Sequence, residues 1–249
     1  MNESHNLERQ TQRLNQEFNI FPLGDSAATM DFGNTINKSL NSRVRNIGHW
    51  LRQHSLQGFK NVIEGYSSVS ILYDPVILRR NYLFESTAFD FIRKKLEEAW
   101  KETIHDPIFE DGPLTRIPVC YDEEFGIDLN FIASEKHLSK EEIIRIHQSK
   151  SYHVYMIGFL PGFSYMADVD ERLVIPRKKV PVTVSPGSVG IAGSQTGVYP
   201  ISCPGGWQII GRTPMALFDP SSENPVKLQA GDQVQFYSIS RSEFEAASQ

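Results

Sequence analysis

Arg212 is the single formal charge in GSQTGVYPISCPGGWQIIGRTP, residues 193 to 214. It ends a run of 32 residues, Val180 to Gly211, that carries none. A guanidinium at the end of such a run is either paired with a carboxylate across the fold or aimed at an anionic ligand. Arg177, directly after Pro176, is a second candidate anion ligand, although Lys178 and Lys179 beside it fit a solvated basic surface equally well. His147 closes a helix, where a lone histidine serves either as a partner of the helix dipole or in proton transfer. Gln195, Thr196 and Thr213 add uncharged donors and acceptors near glycine-rich turns. Pro204-Gly205-Gly206-Trp207 turns the backbone sharply beside a large flat ring, which is either core or the wall of a pocket. GFLPGFSYM, residues 158 to 166, sets Phe159 and Phe163 on either side of a Pro-Gly turn. They either plug the end of a barrel or line a ligand site. Cys203 has no cation or histidine within eight residues, so nothing local makes its thiolate a nucleophile.

These residues need a scaffold. Residues 158 to 214 hold 9 of the 17 glycines and 7 of the 14 prolines. Short β-branched runs lie between them: VPVTVS, SVGIAG, GVYPIS and WQIIG, followed later by VKLQ and QVQFYSI. Many short strands with turn signals between them indicate a β-barrel or sandwich. TRIPVCY and YHVYMIGF add strands, DLNFIASEKH a short helix, and Ser139 with Glu142 a capping box that opens a helix through His147.

The first half differs. EFNIFPLG and AATMDFG read as strands joined at Gly24-Asp25. Leu40, Val44, Ile47 and Leu51 recur at helical spacing. NVIEGYSSVSILYD supplies two more strands around Gly65. Ser86 is placed to cap a helix whose apolar face is Phe89, Ile92, Leu96 and Trp100. The order ββαββα predicts an α+β sandwich with helices on one face of a mainly antiparallel sheet. HDPIFEDGPLTR, residues 105 to 116, is the expected linker. The expected layout is a disordered lead-in over 1–14, an α+β domain over 15–110, a β-barrel domain over 111–240 and a loose tail over 241–249.

Composition excludes several classes. A net charge of −5 argues against nucleic acid as a main partner, which requires a basic face. The longest apolar run, VYMIGFL, is far short of the roughly 20 residues that span a bilayer. The polar opening MNESHNLERQTQR does not read as a signal peptide, and a cytoplasmic protein is expected. Two cysteines and scattered histidines give no metal spacing. No phosphate loop, dinucleotide fingerprint or nucleophile elbow occurs.

GFLPGFSYM, IPR, PGSVGIAGSQTGVYPIS, PGGWQIIGRTPMALFD and AGDQVQF, in this order and spacing, closely resemble the family of 5-oxoprolinase B subunits. That family is also known as allophanate hydrolase subunit 1 and includes an inhibitor of a sporulation histidine kinase. FPLGDSAATMDFG, IPVCYDEEFGIDL and IHQSKSYHV match it as well, so the resemblance covers roughly residues 17 to 239. It implies a ferredoxin-like sandwich followed by a cyclophilin-like β-barrel. It also implies a component that, with the A and C subunits of 5-oxoprolinase, opens 5-oxoproline to glutamate using ATP and magnesium held at the level of the complex. Carried over by position, the motif marks Pro161, Gly162, Gly187, Gly205, Gly206 and Gly211. It assigns His147 and Arg212 to catalysis, and Phe163, Arg177, Gln195, Tyr199, Trp207 and Thr213 to a small carboxylate or amide ligand. Relatives carry a second Pro-Arg where this chain reads Pro181-Val182, and their Val-Pro-x-Gly-Ser-Val is Val-Ser-Pro-Gly-Ser-Val here, residues 184 to 189. Two alternatives follow from the same resemblance. One is a histidine-kinase inhibitor that binds without turnover. The other is a carboxyltransferase half that uses biotin carried by a partner.

Overall fold

The computed structural model describes residues 18–84, 86–107 and 111–248, so the lead-in expected over 1–14 lies outside the described residues. The chain divides into two compact units, one running to residue 109 and one from residue 110. The first holds β1 (Asn19–Pro22), β2 (Ala27–Asp31), α1 (Lys38–Gln53), β3 (Phe59–Glu64), β4 (Ser68–Tyr73), α2 (Pro75–Asn81) and α3 (Ala88–Thr103). Its sheet runs β1-β2-β4-β3, antiparallel throughout. In β4 every second residue, Val69, Ile71 and Tyr73, is buried, as a half-covered strand requires. These side chains meet Val44, Ile47 and Leu51 of α1 and Ile92, Leu96 and Trp100 of α3 in one core. Helix α3 is capped by Thr87, reciprocally with Asp90, one residue after the expected Ser86. Sequence reading missed α2. Its signal is Asp74-Pro75, an N-cap carboxylate that accepts from Val76 and Ile77 and a proline at the first helical position.

The second unit begins with β5 (Leu114–Val119), α4 (Leu129–Lys136), α5 (Lys140–Gln148), β6 (Tyr152–Ile157) and β7 (Ser164–Ala167). It continues with β8 (Val182–Val184), β9 (Ser188–Ala192), β10 (Gln195–Val198), β11 (Cys203–Gly205), β12 (Gln208–Arg212), β13 (Gln233–Ser238) and α6 (Arg241–Ala247). Seven strands form one sheet in the order β12-β9-β10-β7-β6-β13-β5. Only β13 and β5 pair in parallel. The two edge strands meet: Cys120 and Arg212 exchange backbone hydrogen bonds of 2.8 and 2.9 Å. The sheet is therefore a nearly closed barrel. Gly211 permits the seam, because a Cβ there would lie 2.7 Å from Val119 Cγ1 and 2.8 Å from the Cys120 carbonyl oxygen. Strands β8 and β11 form a separate two-stranded ribbon.

The barrel interior is filled. Val154, Met166, Thr196, Val198, Val189 and Ile191 are fully buried, and all but the threonine belong to one apolar cluster with Ile143, Ile146 and Phe236. Two expectations are corrected here. VKLQ makes only an isolated bridge between Val226 and Phe218 rather than a strand. The segment expected as a loose tail is helix α6, with Ser240 and Glu243 as its capping box and Phe244 buried beneath it.

Candidate ligand-binding site

Strands alternate faces, so the partners of the interior residues point outward. On β7, Tyr165 lies between Ser164 and Met166. On β10, Gly197 pairs with Tyr165, and on β9, Gly190 pairs with Gly197. On this face Phe163, Ala192, Tyr199, Trp207 and Ile209, with Tyr165 packed against them, form a second apolar cluster separate from the barrel core. A cavity of about 620 Å³ opens there. It lies on the outer face of the barrel wall and not in the barrel interior. Phe163 is its centre: its ring meets Tyr165 at 4.7 Å, Tyr199 at 5.1 Å and Trp207 at 5.4 Å, all edge-to-face. Phe159, in a left-handed conformation (φ 67°), adds an exposed ring at 5.6 Å from Phe163.

Glycines make the room. A Cβ on Gly197 would stand 2.8 Å from the Ser164 carbonyl oxygen, 3.1 Å from Trp207 Cζ3 and 3.2 Å from Phe163 Cζ. A Cβ on Gly205 would meet the Tyr199 ring and hydroxyl at 2.9 Å. Gly197 on β10 and Gly205 thus leave room for the Trp207 and Tyr199 rings close to the backbone.

Arg177 supplies the charge. Its guanidinium lines the cavity over Gly206, and no hydrogen-bond acceptor or carboxylate engages it among the described residues. Its neighbour Lys178 holds the loop in place. Lys178 Nζ bonds Asp128 Oδ2 at 2.6 Å, both side chains being mostly buried, and its amide donates to the Gly206 carbonyl at 2.7 Å. Asp128 also accepts from the Ile209 amide at 2.6 Å. Of the three basic residues, Lys178 is therefore the anchor, between the exposed Arg177 and Lys179. Burial pushes the Tyr199 hydroxyl up to about 12 and also raises Tyr165, with Arg177 partly offsetting both. Gln195 and Ser194 complete the polar rim.

The structure gathers Phe163, Arg177, Gln195, Tyr199 and Trp207 around this cavity. It does not bring His147, Arg212 or Thr213 there. His147 is fully buried in the barrel core, stacked on Phe236 at 4.6 Å. Thr196 donates to the Gly190 carbonyl, so it accepts from His147 Nε2 at 3.0 Å. Nδ1 is then the acceptor for the Tyr121 hydroxyl at 3.1 Å. Desolvation lowers this imidazole to about 3. His147 is thus a hydrogen-bonded core histidine that does not reach the aromatic cavity. Thr213 is buried and caps a turn by accepting from the Met215 amide. Arg212 lines a different, smaller cavity. Tyr165 is the cavity residue that sequence reading passed over. It stands two residues after Phe163, the spacing that puts both on one face of a strand. Cys203 is not among the lining residues, and burial raises its thiol.

The sequence matches the family described as carboxyltransferase domain, subdomain C and D, over residues 18–228. The 5-oxoprolinase B subunit of Bacillus subtilis (strain 168) is 41% identical over 232 residues, covering 92% of this chain and 96% of the relative. The 5-oxoprolinase B subunit of Escherichia coli O157:H7 is 35% identical over 222 residues, covering 89% and 96%. The crystal structure of Kluyveromyces lactis urea carboxylase superposes with a TM-score of 0.73 at 19% identity, over 92% of this chain and 22% of that one. That last likeness is one of fold: a mixed α+β chain with a nearly closed, barrel-like sheet.

Proposed function

Because the chain belongs to the carboxyltransferase-domain family that includes the 5-oxoprolinase B subunits, we propose that it is the B subunit of an ATP-dependent 5-oxoprolinase. In this reading it binds 5-oxoproline for opening to glutamate, and the A and C subunits complete the enzyme. The observation that carries the proposal is the unpaired Arg177 guanidinium on an otherwise uncharged aromatic cavity. 5-Oxoproline is a small, nearly flat lactam with one carboxylate. Arg177 would take the carboxylate through its planar fork, Phe163, Tyr199 and Trp207 would flank the ring, and Gln195 would meet the lactam.

The same residues set a limit on what this chain does. No carboxylate, histidine, lysine or cysteine lines the cavity among the described residues. One guanidinium and no carboxylate do not fit a magnesium nucleotide, so no phosphoryl step is assigned to this chain. ATP and magnesium belong elsewhere in the complex, and this subunit binds and orients. We read the first unit as ferredoxin-like and the second as cyclophilin-like, with domains over 15–110 and 111–240. The four-stranded antiparallel sheet with packed helices and the nearly closed seven-stranded sheet support that reading. A cytoplasmic location is part of the same proposal; no helix among the described residues is long and apolar enough to cross a membrane. A second reading, the carboxyltransferase half of a biotin-dependent enzyme, is favoured by the family's own description.

Reconstitution separates them. The chain is mixed with the A and C subunits, and glutamate is assayed with each component left out in turn. Glutamate should require all three together with ATP and magnesium. Turnover that needs biotin and bicarbonate would favour the second reading. Glutamate from this chain alone would refute the assignment of a binding role.

A further inference from the structure

A second cavity, of about 190 Å³, shares no lining residue with the aromatic one. Thr183, Ser185 and Ser188 form one side, Glu124 and Phe125 another, and Arg212 projects into it. The Arg212 guanidinium carbon lies 5.9 Å from the Phe125 ring centre and 5.7 Å from that of Phe244. The two rings are themselves 4.5 Å apart. Phe244 comes from α6, whose capping box fixes the helix start. Two aromatic neighbours strip water from the cation and leave its edge for hydrogen bonding.

That edge is unused. Nε donates to the Pro186 carbonyl at 2.7 Å. Among the described residues, no acceptor engages Nη1 or Nη2, and no carboxylate lies within ion-pair distance. Glu124, the one acidic residue lining the cavity, is taken by Arg241 at 2.9 Å, which also bonds Glu245 at 2.8 Å. Ser188 is only 5% exposed, and its hydroxyl has no partner among the described residues. Partly desolvated donors without acceptors are costly, and an oxyanion removes the deficit. A cavity of about 190 Å³ has room for a phosphate or carboxylate group.

We infer that this cavity binds one small oxyanion, held by the Arg212 fork and the Ser188 hydroxyl, independently of the ligand in the aromatic cavity. The wall from Val180 to Gly211 carries no charge, so the anion meets no competing cation there. The chemistry is shared by a phosphate and by a carboxylate, and two probes distinguish them.

Calorimetric titration of the full chain with inorganic phosphate and with malonate, at ionic strength held constant with chloride, tests this. One probe should bind saturably at one site per chain and raise the melting temperature. Phosphate as the tighter ligand would name a phosphorylated compound, and malonate a carboxylate. Arg212→Lys keeps the charge and loses the fork, so binding should weaken at least tenfold. Ser188→Ala should weaken it several-fold, and Arg177→Met should leave it unchanged. Should Arg212→Lys not fold by circular dichroism, Ser188→Ala decides, and unaltered affinity in that variant overturns the inference. Failure of both probes to saturate also overturns it, as does loss of binding in Arg177→Met but not in Arg212→Lys.

Discussion

His147 makes a quantitative test of the fold and of the division of labour. Its imidazole is neutral and fully buried, with its pKa lowered from 6.5 to about 3 by desolvation. In the unfolded chain it titrates normally. Above pH 6.5 both states are neutral and the group contributes no pH dependence. As the pH falls through that value the unfolded chain takes up a proton that the folded chain refuses. Stability then declines by up to about 1.4 kcal/mol per pH unit, until the folded value is reached. Between pH 7 and pH 5 the loss sums to about 2 kcal/mol, or a fall of about 4–8 °C in melting temperature for a chain of this size. Other groups titrate in the same window, so the informative quantity is a difference. His147→Gln removes the imidazole and costs about 1–3 kcal/mol at pH 7 through the lost stack and hydrogen bonds. From pH 7 to pH 5, however, it should lose about 2 kcal/mol less than the wild type, measured by urea unfolding at each pH. In the assembled complex, folded His147→Gln should keep turnover within a few-fold. Parallel pH slopes for the two proteins would refute the buried, neutral histidine. A thousandfold loss of turnover with an intact fold would return it to catalysis.

Three further outcomes are expected. Arg177→Met should weaken calorimetric binding of 5-oxoproline at least tenfold while leaving the melting temperature within about 2 °C, because the side chain is exposed and unpaired; unchanged affinity would take the carboxylate away from Arg177. Gly197→Ala should cost about 1–3 kcal/mol and weaken the same binding, since its methyl collides with a carbonyl and two rings; unchanged stability would mean that the cavity wall is looser than the geometry states. Lys178→Met should destabilise by about 1–3 kcal/mol and also weaken ligand binding, because it leaves Asp128 mostly buried with its cation gone and frees the loop that carries Arg177; loss of stability without loss of binding would show that the loop is held by other contacts.

Local signals carried much of the fold. The helical spacing of Val44, Ile47 and Leu51, the alternation in SVSILY and the Ser139-Glu142 box each depend on residues a few positions apart, and each has its expected structure. What sequence reading missed is partly local, as with the Asp74-Pro75 start of α2, and partly long-range. Nothing local says that β13 runs parallel to β5 or that Arg212 meets Cys120 across the seam. The segment after residue 240 carries the same kind of local signal, the Ser240–Glu243 capping box, which sequence reading overlooked; what it could not show is that Phe244 packs on Phe125, far away in the chain. The site divided in the same way. Aromatic and glycine positions were legible as a group because the turn chemistry is contiguous. Arg177 and Arg212 looked like partners because both are cations near that group. The fold sets them apart: Arg177, on the loop beside Gly206, lines the aromatic cavity, while Arg212, at the end of β12, projects into a separate one.

The stretch from 193 to 214 is dense in glycine because it is used twice within one sheet. Gly197 and Gly205 give up side chains so that Trp207 and Tyr199 can lie against backbone on the outer face. Gly211 gives up its side chain so that β12 can reach Cys120 and close the barrel. The charge-free run has the same origin. Its interior positions face a filled apolar core and its exterior positions face aromatic rings, so a charge on either side would be buried without a partner. The charge returns at Arg212, where β12 meets the seam and the chain next leaves the sheet. A cation there is free to face a ligand only because its backbone, and not its side chain, closes the barrel. Arg212→Ala should therefore spare the seam hydrogen bonds, which belong to the main chain, and lose the anion. Amide hydrogen exchange can read the two separately. Protection at the Cys120 and Arg212 amides should persist in the variant while phosphate and malonate binding disappears, and joint loss of both would tie the guanidinium to the fold instead.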